Sequence, residues 1–467
     1  MPIFPEDLKP GEEVIECQEV VDPDDAVFDA TTRPNLQQAV EMILGRQQGF
    51  VVPFASAAFD RHASLRDQNL FRCMFGRDSL LIADLLRFMR PELRLNVICA
   101  LASVQGTQYD EQSEEEPGRI PHEVREPDDP VAQEISSASR WKFPYYGAVD
   151  ATLIWLRCLA EEAQADSRVL ELEIAGHTLA QRAARAAAWT LQRLGSPSGF
   201  VESTRSNPQG IENQVWKDSG DSYMHRDGML ARGDSTASVE TVGETFDALM
   251  AASAIQAMAP RANWPVGREE FTRLAHELRV RLFERFWLGD HFALATERDA
   301  HGRQVMMDST ASNQGRLLDS AILEGAEFAS YGRAITDVMM DPDMLSAAGL
   351  RTLAASHISY RPGGYHTGTS WPMDSTFVAR GMVRHGFRRE ALEVATRTRH
   401  AIESVGGYPE FFRGDMPVHG PISTSIVDVR RTGTRMSVNR VTQPPQLLQG
   451  WTVAAYARLI HSEELLK

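Results

Sequence analysis

Residues 75–105 read FGRDSLLIADLLRFMRPELRLNVICALASVQ. Apolar residues recur there every three or four positions, the spacing of one helix face. The pattern predicts a helix over 78–90, with Asp78 or Ser79 as its N-cap. It predicts a second over 92–105, opened by Pro91 at a position that suits a first turn. Two helices joined at one proline form a hairpin. The same periodicity recurs at 35–46, 148–164, 169–194, 238–258, 268–287, 313–323, 325–339, 344–356, 374–386, 388–404 and 446–463. Strand signals are few, chiefly a short hairpin over 286–295.

The connections alternate in character. Those at Pro91 and Gly386 are short. Those at 106–147, 196–237, 357–373 and 405–445 are long and rich in Gly, Pro, His, Trp and acids. Long loops in a compact domain are usually functional, and alternation with short ones along paired helices gathers them at one end. The expected architecture is all-α, with helical hairpins closing into an (α/α)6 barrel and the long functional loops on one face. No fixed-period repeat is present, which disfavours a solenoid. Residues 1–34, acidic and proline-containing, are expected as an N-terminal strap, with 35–467 as the catalytic domain.

The chain has 467 residues, 48 Lys plus Arg against 64 Asp plus Glu, and a formal charge of −16. A general nucleic-acid binder would need a basic face, and an anionic membrane would repel this balance. No apolar run reaches the roughly 18 residues of a membrane span. The start, MPIFPEDLKPGEE, lacks the basic and apolar regions of a signal peptide. Four cysteines form no CxxC pair, which together with the rest implies a cytoplasmic, reducing location. No HExxH, EF-hand or GxSxG pattern occurs, so neither a metal, a cofactor nor a serine nucleophile is expected. Homo-oligomer formation is left open.

The chemistry-bearing residues cluster in the loops. Arg77 and Asp78 open a helix and can offer a guanidinium fork and a carboxylate to vicinal hydroxyls; the plainer alternative is that Asp78 caps the helix and Arg77 pairs with it. The stiff stretch Pro117-Gly118-Arg119-Ile120-Pro121-His122-Glu123 presents His122 and Glu123 as a binding wall. Residues 141–150, WKFPYYGAVD, place four aromatics within six positions, either a platform for sugar rings or a plug on the barrel rim. In Asn213-Gln214-Val215-Trp216-Lys217-Asp218-Ser219-Gly220-Asp221, Trp216 would desolvate Asp218 and raise its pKa, suiting a general acid. Lys217 would pull the other way, and Asp221 competes for the role. Glu410 stands between Gly406-Gly407 and two phenylalanines. Residues 364–374, GYHTGTSWPMD, again join aromatics to an acid at a helix start. Two carboxylates, 192 positions apart (410 − 218), fit hydrolysis at an anomeric carbon, and inversion would require them about 6.5–9.5 Å apart.

Through FGRDSLL, EEPGRIPHEVR, YYGAVDAT, WKDSGDS, SVETVGETFDAL, GTSWPMDST, PEFFRG and QPPQLLQGW the sequence resembles the debranching-enzyme class of glycoside hydrolases, the amylo-α-1,6-glucosidase family. The motifs span residues 75–451. More distantly, it is similar to hydrolases of mannosylglycerate and glucosylglycerate and to processing α-glucosidases. The resemblance implies an (α/α)6 barrel and an inverting mechanism without cofactor. It puts the general acid on Asp218 and the general base on Glu410. Arg77 and Asp78 would bind the terminal sugar, Trp216 and Trp371 would wall it, and His122, Glu123, Tyr146, Asp150 and Lys217 would line the cleft. Debranching enzymes usually carry a large N-terminal region, whereas 34 residues precede the first expected helix here, and LIWL follows YYGAVDAT. A small α-glucoside or short oligosaccharide is therefore the expected substrate. The alternatives are a sugar epimerase or isomerase on the same barrel, drawing on histidines such as His225, His366 and His385, or a carbohydrate-binding protein without turnover.

Overall fold

A computed structural model describes residues 34–57, 70–138, 141–231, 235–299, 301–405, 407–415 and 446–461. It also describes the backbone of strands Glu13–Glu16, Thr424–Thr432 and Arg435–Gln443. The rest of the expected strap lies outside the described residues.

Among these residues the α-helices are α1 (Leu36–Met42), α2 (Gly76–Leu86), α3 (Glu92–Ser103), α4 (Pro130–Ser137), α5 (Asp150–Ala165), α6 (Leu179–Leu194), α7 (Val239–Met258), α8 (Arg268–Phe286), α9 (Ala329–Met340), α10 (Pro372–Arg384), α11 (Arg388–Val405) and α12 (Gly450–Ile460). A 3-10 helix spans Ser312–Asp319. The inner ring closes on itself: α2 packs on α5, α5 on α7, α7 on the 3-10 helix, that helix on α10, α10 on α12, and α12 back on α2. Each inner element has an outer partner, in the same order α3, α6, α8, α9, α11 and α1. This is the (α/α)6 barrel. All of α2 is buried. Outer α8 buries only Phe271, Ala275, Leu278, Leu282 and Phe286, a single helical stripe.

Every long connection runs from an outer helix to the N-terminus of an inner one, so one face gathers the loops. At the other end of the ring Arg380 on α10 bonds Asp319 of the 3-10 helix at 2.7 and 2.6 Å and Asp84 of α2 at 2.7 Å. Arg94 on α3 reaches Asp84 at 3.1 Å. Cys73, Cys99 and Cys158 are free and buried.

Several elements depart from the expected pattern for identifiable reasons. The helix expected over 35–46 stops at Met42, because Gln48 and Gly49 both take positive φ and turn Leu44–Gln47 back on Phe50–Pro53. The helix expected over 344–356 is a hairpin of Leu345–Ser346 with Gly349–Leu350. Gly349 sits at φ +111°, and a Cβ there would lie 2.6 Å from Ser375 Oγ and Thr398 Oγ1. The stretch 313–323 is 3-10, with Gln314 accepting from Phe292 N–H and Asn313 donating to Glu240. Helix α4 forms within an expected loop, capped by Asp129 and begun by Pro130. The hairpin of Thr424–Thr432 and Arg435–Gln443 occupies about half of another, and Glu13–Glu16 pairs parallel to its second strand.

The 3-10 helix lies close against α10 through Gly381, where a Cβ would stand 2.6 Å from the Leu318 backbone. Gly381→Ala is expected to destabilise the protein by about 1–3 kcal/mol through overpacking, read as a lower denaturant midpoint at unchanged slope.

Candidate active site

The N-termini of the inner helices point at the loop face. Four of them bring an acid in the first turn: Asp78, Asp150, Glu240 and Asp374. Helix N-termini favour such charges. The first of these ends is shaped by Gly76, whose N–H donates to His122 O at 2.8 Å and whose missing Cβ would meet Pro121 O at 2.1 Å. Helix α2 has no side-chain cap. Asp78 is therefore not the N-cap the sequence suggested, and Arg77 bonds Asp150 at 2.8 Å, with Asp78 more distant at 3.8 Å. A second Arg77 nitrogen lies 3.7 Å from Asp218. One buried guanidinium thus touches three carboxylates from two helices and a loop.

The Asp218 loop is folded by its serines. Ser222 Oγ donates to the carbonyls of Lys217 and Ser219, each at 2.5 Å, and Asn213 donates to Ser219 O at 2.8 Å. Lys217 turns away, donating to Thr352 O at 2.6 Å, and the charges of Asp374 and Glu240 face it. The charge that opposes the rise of the Asp218 pKa is accordingly Arg77 and not Lys217. Burial pushes Asp218 up to about 6, although its side chain keeps 33% of its surface. Asp221, the competing acid, is occupied by Arg361 and by Ser219 at 3.1 Å.

Glu410 lies on a short extended piece. Its N–H donates to Gln446 O at 3.0 Å, while Ser370 and Phe412 exchange bonds of 2.8 and 2.9 Å on the other side. Glu410 as a residue is 5% exposed. Tyr365 hydroxyl donates to Oε1 at 2.6 Å and Gln446 N–H to Oε2 at 3.4 Å. Burial pushes Glu410 up to about 7, opposed by those two bonds and reinforced by the Asp218 charge. Burial also lifts Asp78 to about 7, against Arg77 and with help from Asp218, Asp150 and Glu410.

Aromatic walls enclose these acids. Trp216 and Trp371 meet edge to face at 5.9 Å, and Tyr365, Phe411 and Trp451 pack on Trp371 at 5.0, 5.6 and 5.9 Å. Arg77, Asp78, Asp150, Asp218, Glu410, Trp216 and Trp371, chosen from sequence, therefore come together. Others face elsewhere. Glu123 is engaged by Arg125 and by Cys73. Tyr146 hydroxyl donates to Val104 O at 2.8 Å. His122 packs edge-on to Phe75 at 5.3 Å, where the Arg77 charge reaches it. Trp141 stacks on Tyr145 at 4.7 Å. Of the histidines weighed for epimerase chemistry, His225 bonds Glu297 at 2.8 Å, His385 stacks on Phe387, and His366 bonds Ser219; they form no facing pair. Sequence reasoning singles out the segment that holds Tyr365 but misses this residue as the partner of Glu410. A cleft of about 470 Å³ on the same face, between Tyr109, Gln192 and Arg205, contains none of the clustered acids.

No helix among the described residues is long and apolar enough to cross a membrane. No curated protein matches the chain. Among solved structures, the GH63 mannosylglycerate hydrolase from Thermus thermophilus in complex with glucose superposes with a TM-score of 0.58 at 13% identity, covering 92% of this chain and 100% of that one. Its complex with Tris and D-glycerate gives the same values. The complex with Tris gives 0.56 at 12% identity and the same coverage. These likenesses establish the fold. The model of the mannosylglycerate hydrolase MGH1-like glycoside hydrolase domain matches residues 101–415. The kinship the sequence reading ranks as more distant is thus the one the comparisons support, and the chain belongs to the MGH1-like family of glycoside hydrolases.

Proposed function

We propose that this protein is an inverting α-glycosidase that removes a terminal glucose or mannose from a small α-glycoside or short oligosaccharide. The observation that carries the reading is a pair of carboxylates from different loops, half-buried Asp218 and buried Glu410, close enough for the Asp218 charge to act on Glu410, each with a raised pKa and a different partner. Asp218, the more open of the two, protonates the leaving oxygen on the side where an aglycone enters. Glu410, enclosed, takes a proton from water at the opposite face of the ring. Arg77 and Asp78 hold ring hydroxyls. The family assignment favours a small aglycone over the branch points of a polymer.

Replacing either acid by its amide, Asp218→Asn or Glu410→Gln, is expected to lower kcat by about a thousandfold or more on a panel of α-glucosides and α-mannosides, since general acid and general base each contribute roughly 10²–10⁴. Proton NMR of the first turnovers would show the β-anomer of the released sugar. Appearance of the α-anomer first would exclude inversion.

The productive site carries one proton on the pair, on Asp218. Below about pH 6 both acids are protonated and Glu410 cannot act as base. Above about pH 7 both are ionised and Asp218 cannot act as acid. A narrow bell in kcat/KM is expected between those limbs, which belong to the pair rather than to either residue. A profile flat from pH 5 to 9 would contradict this.

A further inference from the structure

One short segment, residues 364–369, reaches both candidate catalytic loops through consecutive side chains. Tyr365 donates to Glu410 Oε1 at 2.6 Å. His366 Nδ1 lies 2.9 Å from the hydroxyl of Ser219, the residue after Asp218. That hydroxyl donates to Asp221 Oδ1 at 3.1 Å, and the Ser219 N–H donates to His366 Nδ1 at 3.4 Å. Asp221 is also bound by Arg361, three positions ahead of the segment. The backbone here is pinned: Trp371 Nε1 donates to Tyr365 O and to Thr369 Oγ1, both at 3.0 Å, and Thr369 Oγ1 donates to Tyr365 O at 2.5 Å. Both rings are locked on one neighbour, Tyr365 edge-on to Trp371 at 5.0 Å and His366 stacked on it at 5.1 Å.

Resting on the acid–base reading above, we propose that Tyr365–His366 is the positioning element of the site: Tyr365 orients the base directly, and His366 orients the acid through Ser219. The two carboxylates are 192 positions apart in the chain (410 − 218), and inversion needs them at a separation that admits one water, held to about half an ångström. Two independent loops do not by themselves keep such a spacing. Two residues whose Cα atoms are about 3.8 Å apart, both clamped on Trp371, do. The Tyr365 bond and the Gln446 N–H also occupy part of the Glu410 lone-pair set, which limits the directions from which it can receive a proton from water.

Tyr365 has a second consequence for charge. Glu410 faces Asp78 from α2, Asp218 from its loop, the Gln446 N–H, the Gln449 side chain and the Tyr365 hydroxyl; Arg77 faces Asp78 and Asp218. Two of these neighbours are acids that favour the protonated base, and the Tyr365 hydroxyl opposes them. Losing it places the proton more firmly on Glu410 and depletes the productive arrangement.

The test uses the full chain and the glycoside panel, with Asp218→Asn and Glu410→Gln assayed beside Tyr365→Phe, His366→Leu and His366→Asn. Tyr365→Phe keeps the ring packing and is expected to lower kcat about 10- to 100-fold. KM should stay within about threefold, and the pH limb near 7 should move up by about one unit. His366→Leu is expected to lower kcat to a similar degree without moving that limb. His366→Asn, whose side-chain oxygen can accept from the Ser219 N–H in place of Nδ1, should recover most of the loss. If the two amide variants are inactive while Tyr365→Phe and His366→Leu keep kcat within about threefold, the positioning role is wrong and the acid–base pair stands. Active amide variants would remove the pair and this role with it. Should His366→Leu fail to fold, Tyr365→Phe decides: an unmoved limb or a change confined to KM overturns the proposal.

Discussion

A single buried guanidinium organises the loop face. Arg77 is 3% exposed, and removing its charge would leave Asp150, Asp78 and Asp218 crowded in a poorly hydrated space. Burying unpaired carboxylates is expensive, and they respond by taking up protons. Arg77 limits that response without abolishing it: Asp218 stays near 6 and Asp78 near 7, both poised close to neutrality. The position of Arg77 is itself fixed by chain geometry, since the helix that bears it begins at a glycine where a side chain would strike the neighbouring loop. Binding chemistry and backbone packing meet at one turn.

The barrel supplies what an isolated loop cluster lacks. Inner helix N-termini converge on the acids, so backbone dipoles stabilise negative charge from several directions. At the opposite end Arg380 ties α2, the 3-10 helix and α10 through Asp84 and Asp319. Long charged chains at the surface add little to stability, but these acids are largely buried and each has more than one donor. The scaffold is therefore stiff where the ring is tied and open where the loops arrive, a division that suits a site needing fixed carboxylates and an accessible mouth.

Much of this was legible in the primary structure, residue by residue. The alternation of short and long connections foretold the barrel, because a helix pair must bury its apolar stripe and long loops can only collect at one end. Asp218 and Glu410 stood out as candidates because an acid flanked by tryptophan or phenylalanine in a Gly-containing loop is a local signal, although that signal left Asp221 beside Asp218. Other local signals misled. Asp78 looks like a cap until its helix is seen to start two residues earlier. Lys217 adjoins Asp218 in sequence and points away in space. Glu123 and Tyr146 stand in conspicuous motifs, yet their polar atoms are spent on Arg125, Cys73 and Val104.

The amino-acid sequence alone determined the class of architecture, since periodicity and loop composition are properties of contiguous residues, and its family motifs nominated the candidate acids. Tertiary structure alone decided which groups act on one another. The contact of Tyr365 with Glu410 joins residues 45 positions apart, and that of Arg77 with Asp150 joins residues 73 apart. It also decided that Gly349 turns a helical pattern into a hairpin. Hydrogen bonds and desolvation depend on distances through space, and no linear pattern encodes those distances until the ring has closed.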